Sequence, residues 1–299
     1  MTLFDVQILL AGFLVALPCA LLGSFLVLRK MVMMGDAISH AVLPGIVIAY
    51  LFSGERGSVT MLLGACVIGL FSTFVIEYLH KKAGLQSDAS IGVTFTAFFA
   101  IGIIFISLFA GQVDLDQDCV LYGEIAYVPL DAWILDNGIN LGPRIIWAMS
   151  GVSALVIAFL WVFYKELKIN TFDPSFAAVS GISAVLWHYS LMGMVTLVTI
   201  TSFEAVGAIL VIAFLAGPPA TAYLITTRLK NMLFLSVLFG FSATLLGYLL
   251  AVLTLGSVAG AIAVAIGVQF MVIFGYVQMR GKTKKPEESS IAAPVSSGI

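Results

Sequence analysis

The chain has 299 residues, of which 61% are hydrophobic and 10% charged, with a formal net charge of −2 and a mean hydropathy of +1.11. Soluble domains are about half apolar and about a quarter charged, so this composition excludes a soluble globular protein, argues against nucleic acid as a partner, and predicts a chain that crosses a membrane many times. The three cysteines, Cys19, Cys66 and Cys119, are widely spaced and form no CxxC pair, which leaves no structural zinc or redox motif.

A helix needs about 20 apolar residues to cross the hydrocarbon core. On that criterion the charged and glycine-proline breaks delimit segments 7–28, 36–53, 59–79, 90–110, 145–164, 183–201, 204–225, 232–253 and 257–278. The first carries no Lys or Arg ahead of its apolar run, so it reads as a permanent span and not as a removable signal peptide. Gly217, Pro218 and Pro219 interrupt the seventh, which predicts a broken or re-entrant segment there. The expected fold is an all-α, polytopic transmembrane bundle of eight or nine spans formed by residues 1–281. Basic residues cluster at Arg29/Lys30, Lys81/Lys82, Lys165/Lys168, Arg228/Lys230 and Arg280 to Lys285, in alternate loops if nine segments cross, with only Arg56 and Arg144 on the other side. Arg and Lys favour the cytoplasmic side, which puts the N-terminus outside, loop 111–144 outside and the C-terminus inside. Residues 282–299 are polar and Pro/Ser-rich and read as a disordered cytoplasmic tail.

No GxxxxGK[ST] motif is present, so the chain holds no phosphate cradle of this type. It reads as a non-enzyme whose energy source, if ATP, lies on another subunit.

Ionisable residues within membrane helices are costly and mark function by default; those in or beside the spans are Asp36, His40, Glu77, His80, His188 and Glu204. Asp36 and His40 stand four apart and so share a helix face. A carboxylate and an imidazole suit borderline first-row metals, and such sparse ligation suits an ion that must leave again. The same spacing also fits a helix-capping Asp36 beside a His40 bonded to a neighbouring helix. Pro44 leaves the His40 carbonyl without its helical N–H and predicts a kink. Glu77 and His80, beside Lys81 and Lys82, read as a solvated interfacial cluster, and His188, between Trp187 and Tyr189, as part of an interface belt. Glu204 reads as a cap on the N-terminus of the seventh span or as part of an outer gate, in company with Pro218 and Pro219. Asp114, Asp116, Asp118 and Glu124 form an acidic outer loop that steers cations; the EF-hand glycine and closing Glu are missing. In residues 165–182, Asp173 and Pro174 match a helix cap and first turn and Gly181 a stop, so a short helix lies across the cytoplasmic face.

Four stretches in order, GSFLVLRKMVMMGDAISHAVLPGI, DLDQDCVLYGEI, FDPSFAAVSGI and SFEAVGAILVIAFLAGPPATAYLIT, resemble the ABC-3 family, the permeases of manganese, zinc and iron ABC importers. The DCVLYGE and FEAVG segments look more like the manganese/iron branch; Pro218 departs from a family pattern that has one proline. The resemblance implies a bacterial multi-pass membrane permease that moves manganese or iron, less readily zinc, with no permanently bound cofactor. It implies docking on an ABC ATPase subunit, delivery by a metal-binding solute-binding protein, and pairing with a second permease copy or a sister permease in the membrane lipid. It also implies that Asp36 and His40 contact the ion and that the helix at Asp173, Pro174, Ala177 and Gly181 couples to the ATPase. The main alternative is a secondary, ion-coupled metal transporter, which is expected to carry more intramembrane carboxylates for proton coupling. An intramembrane metallohydrolase lacks its HExxH.

Overall fold

The structure, a computed structural model, describes residues 3–53, 59–109, 125–130, 132–134 and 140–281. The helices in chain order are α1 (Leu3–Leu28), α2 (Met33–Ala41), α3 (Leu43–Ser53), α4 (Val59–Lys82), α5 (Ser87–Phe109), α6 (Arg144–Val162), α7 (Tyr164–Phe172), α8 (Pro174–Val179), α9 (Ala184–Val206), α10 (Ala208–Ile225), α11 (Leu229–Thr254) and α12 (Val258–Gly281). Between α5 and α6 lie a 3-10 turn (Ile125–Leu130) and a two-stranded antiparallel ladder, β1 (Ala132–Ile134) with β2 (Asn140–Pro143). Residues 110–124 and 282–299, which hold the acidic loop and the tail, lie outside the described residues.

Nine helical segments among the described residues are long and apolar enough to span, with α2 and α3 together making one of them. Helical hydrogen bonding within each segment, interrupted at the internal prolines, meets the condition for a chain in hydrocarbon. Large apolar side chains such as Leu108, Phe109, Trp161, Leu253 and Met271 point outward, as they do where the surroundings are lipid. α1 lies at the centre, against α6, α9, α10 and α11; α2 to α5 pack together on one flank and α10 to α12 on the other, with α9 touching both α2 and α4.

Close approach is achieved through small residues, the usual device where lipid tails compete with apolar side chains. A methyl group on Gly45 would stand 2.5 Å from the Gly64 carbonyl oxygen, so α3 and α4 meet backbone to backbone there. Gly23 brings α1 equally close to Leu215 of α10. Hydroxyls tie helices across the interior: Ser153 Oγ donates to the Leu14 carbonyl at 2.9 Å, and Ser24 and Ser236 share a hydrogen bond of 3.0 Å.

One expected break is absent and another is present. α10 runs through Pro218 and Pro219 without interruption. Proline at 219 removes the N–H that would bond the Leu215 carbonyl, and that carbonyl lies against Gly23 of α1, where the absence of a side chain leaves it room. The chain breaks earlier, at Gly207, whose φ of 77° and ψ of 167° separate α9 from α10. Such backbone angles belong almost solely to glycine. The Pro44 kink is present: Val42 stands as a turn residue between α2 and α3, and the chain re-enters helix with Ile46 N–H donating to the Val42 carbonyl.

Candidate functional site

Asp36 lies in the first turn of α2 and His40 in its last. The N-cap of α2 is Val32, with no side-chain cap, so Asp36 stands inside the helix and the capping reading fails. Its Oδ1 is 3.5 Å from His40 Nε2. The His40 ring lies between two aromatic rings of α5, Phe95 at 5.4 Å and Phe99 at 5.9 Å edge-on, which leaves Nε2 toward Asp36. The two side chains are partly open, His40 24% and Asp36 43% exposed. α2 is seated by Gly35, where a methyl would meet Leu215 of α10 at 3.0 Å; within the helix Ser39 Oγ donates back to the Gly35 carbonyl at 2.8 Å.

Among the described residues, no group of three or more His, Cys, Asp and Glu side chains is placed to hold a metal ion. The Asp36–His40 pair therefore presents two donors and open coordination positions. Two donors of this kind differ from a closed four-ligand cage of the structural type, which releases its metal slowly.

The sequence reading of Glu77 and His188 is corrected by packing. Glu77 on α4 and His188 on α9 are 11% and 12% exposed, and Glu77 Oε1 stands 3.2 Å from His188 Nε2 and 2.7 Å from Lys81 Nζ. Tyr189 also hydrogen-bonds Glu77. They form a buried interhelical joint instead of a solvated cluster and an aromatic belt. His80 is exposed, with Nδ1 2.9 Å from the Leu85 carbonyl in the turn that follows α4. Glu204 belongs to the last turn of α9, not to the start of α10, and its side chain lies outside the described residues.

The segment expected across the basic face is helical. Asp173 Oδ1 accepts from Phe176 N–H at 2.9 Å and Pro174 occupies the first turn of α8. Gly181, at φ 78°, closes it, with Ile182 N–H donating to the Ala177 carbonyl at 2.9 Å, a glycine-terminated helix end. Ala177 is fully buried, whereas Phe176 is 57% and Val179 89% exposed. Ala177 thus seats the helix, and the outward apolar face is formed by its neighbours Phe176 and Val179.

Sequence reasoning passed over Arg29, which precedes α2. Its Nε donates to Thr171 Oγ1 of α7 at 3.1 Å. Burial pushes its pKa down to about 10, so it remains a buried cation at neutral pH. In the Arg29/Lys30 pair that follows an apolar run, no sequence signal separates Arg29 from an ordinary interfacial arginine.

A profile described as the ABC 3 transport family matches residues 2–278. The chain belongs to this family. It is 44% identical over 282 residues to the "Manganese transport system membrane protein MntD" of Bacillus subtilis (strain 168), covering 94% of this chain and 95% of that protein. The "Zinc transport system membrane protein TroD" of Treponema pallidum (strain Nichols) is 41% identical, covering 93% and 76%. Among solved structures, "PsaBC from Streptococcus pneumoniae in complex with Fab" superposes with a TM-score of 0.76 at 32% identity, covering 94% of this chain and 96% of that one. The ABC 3 chain is thus a multi-pass bacterial membrane permease.

Proposed function

We propose that this permease forms the ion path of an ATP-driven importer for a divalent transition metal, manganese or iron ahead of zinc, with residues 1–281 as the transport unit. The observation that carries the reading is the Asp36–His40 pair, a carboxylate and an imidazole 3.5 Å apart on a membrane helix with open coordination positions. Relatives named for manganese and for zinc transport stand at similar identity, and one Asp with one His accommodates either ion; the manganese/iron preference rests on the DCVLYGE and FEAVG segments. The metal is cargo, held without a permanent cofactor.

Residues 165–182 supply the coupling element. Phe176 and Val179, displayed on α8 at the basic and therefore cytoplasmic end of the bundle, enter a groove on an ABC ATPase subunit, which performs all ATP hydrolysis. Asp173, Pro174 and Gly181 set the start and stop of that helix, and Ala177 fixes it to the bundle. A solute-binding protein delivers the metal from outside. A second permease copy or a sister permease covers the open side of Asp36. Pro44 bends the ion-bearing span, and Glu204, at the Gly207 break, contributes to the outer gate.

The test is uptake of radiolabelled Mn²⁺, Fe²⁺ and Zn²⁺ by cells carrying the whole transporter, comparing wild type with His40→Ala and Asp36→Ala at equal membrane abundance. Loss of uptake in both variants is expected, and the ion lost names the cargo. Undiminished uptake in either variant removes that side chain from the path.

A further inference from the structure

The turn that joins α1 to the ion-bearing α2 is also joined to the segment that leads into α8. Thr171 Oγ1 donates to the Leu167 carbonyl at 2.7 Å and receives Arg29 Nε at 3.1 Å, so the hydroxyl is oriented by one bond to accept the other. Thr171 stands two residues before Asp173, the cap of α8. On the other side, Arg29 begins a four-residue turn whose backbone is hydrogen-bonded from end to end. Lys30 N–H donates to the Val27 carbonyl and Met31 N–H to that of Leu26; Met34 N–H then donates to Met31 and Gly35 N–H to Val32. Lys30 adopts φ 58°, the left-handed helix end at which glycine is usual. The last two of these bonds join the turn to the first turn of α2, where Asp36 stands.

We infer that Arg29 is a positioning residue, a strut that carries displacement of the α7–α8 unit into α2 and so into the Asp36–His40 pair. The inference rests on α8 being the element that docks on the ATPase. A parallel tie, Asn170 Nδ2 to the Ala184 carbonyl at 3.3 Å, links the same helix to the start of α9, where His188 reaches Glu77 of α4. The α7–α8 unit is therefore tied by polar contacts both to the turn that precedes α2 and to α9, which packs against α2. Among the described residues, Arg29 Nη2 and Glu166 Oε2 are buried without a hydrogen-bond partner, one on each of the two elements that the strut joins.

The experiment measures metal moved per ATP hydrolysed in liposomes that hold the complete transporter, with binding protein and Mn²⁺ supplied. Thr171→Val is isosteric and removes the hydroxyl, and with it both the acceptor for Arg29 and the intrahelical bond to the Leu167 carbonyl; Thr171→Ser restores both. A hydrogen bond to a charged group is worth about a factor of ten or more in an equilibrium, so Thr171→Val is expected to lower the metal-to-ATP ratio about tenfold while ATP hydrolysis persists, with Thr171→Ser near wild type. Arg29→Lys, which keeps the charge but loses the planar fork, is expected to follow Thr171→Val. Thr254→Val, an exposed threonine bonded only within its own helix at the Leu250 carbonyl, serves as the control. An unchanged ratio in Thr171→Val overturns the strut, as does a loss that Thr171→Ser fails to restore. Failure of the docking reading looks different: Phe176→Asp would then leave ATPase copurification intact, whatever the Thr171 variants do.

Discussion

Gly23→Ala tests the contact on which the central packing of α1 depends. The new Cβ would lie 2.1 Å from the Leu215 carbonyl oxygen, 2.9 Å from its carbon and 3.0 Å from Pro219 Cγ. A carbon facing a carbonyl oxygen settles at about 3.3–3.6 Å, so α1 and α10 must part by about 1.2 Å at this point. The obstructing atoms are backbone, held in a helix, and cannot turn aside as a side-chain end does. Overpacking of a tight interior costs about 1–3 kcal/mol, and the upper end applies to an immovable neighbour. Replacing a helical glycine by alanine returns about 1 kcal/mol in propensity, leaving a net loss of about 2 kcal/mol. At about 2–4 °C per kcal/mol for a chain of this order of size, the midpoint should fall by about 4–8 °C. Thermal loss of the monodisperse detergent-solubilised protein, followed by fluorescence-detected size exclusion, reads this directly. Gly151→Ala, where nothing stands within 4 Å of the added methyl, keeps only the propensity gain and should melt no lower than wild type. Equal midpoints for Gly23→Ala and Gly151→Ala would refute the claim that the α1–α10 approach is set by the missing side chain.

Gly207→Ala should also lower the midpoint, by about 1–3 kcal/mol of backbone strain, because φ 77° with ψ 167° is closed to alanine; a variant that melts like wild type would show that the α9–α10 break tolerates other angles. Glu77→Ala leaves His188 and Lys81 without their buried carboxylate and should destabilise the protein measurably more than His80→Ala, which removes an exposed contact to Leu85; the same melting assay ranks the two. Phe176→Ser and Val179→Ser should weaken copurification of the ATPase while leaving the midpoint of the isolated permease unchanged, since both side chains face outward. Ala177→Asp should lower both, because it forces a charge into a fully buried position.

The positions of the spans were legible along the chain because hydrocarbon makes one local demand, a run of apolar residues long enough to cross, and each run meets it without its neighbours. The caps of α8 were legible for the same reason: Asp173, Pro174 and Gly181 act through the backbone of their own segment. Asp36 and His40 were paired in advance because four residues on one helix already bring them together.

What failed in the linear reading is what depends on a second helix. Pro218 and Pro219 carry a local signal for a break, and only the groove at Gly23, nearly two hundred residues away, allows α10 to continue through them. Glu77 and His188 read separately as interfacial residues, since nothing in either segment reveals that α4 and α9 pack there and take both side chains out of solvent. Arg29 and Thr171 meet only when α7 folds back beneath the α1–α2 turn. The sequence by itself determined the class, the spans and the chemistry of the ion pair, because hydropathy, capping and helical spacing act within a few residues. Which charges are buried together, where the helices touch, and how the segment leading into α8 is tied to the turn before α2 were decided only by tertiary packing, which brings distant residues within a few ångströms and so sets their burial and their partners.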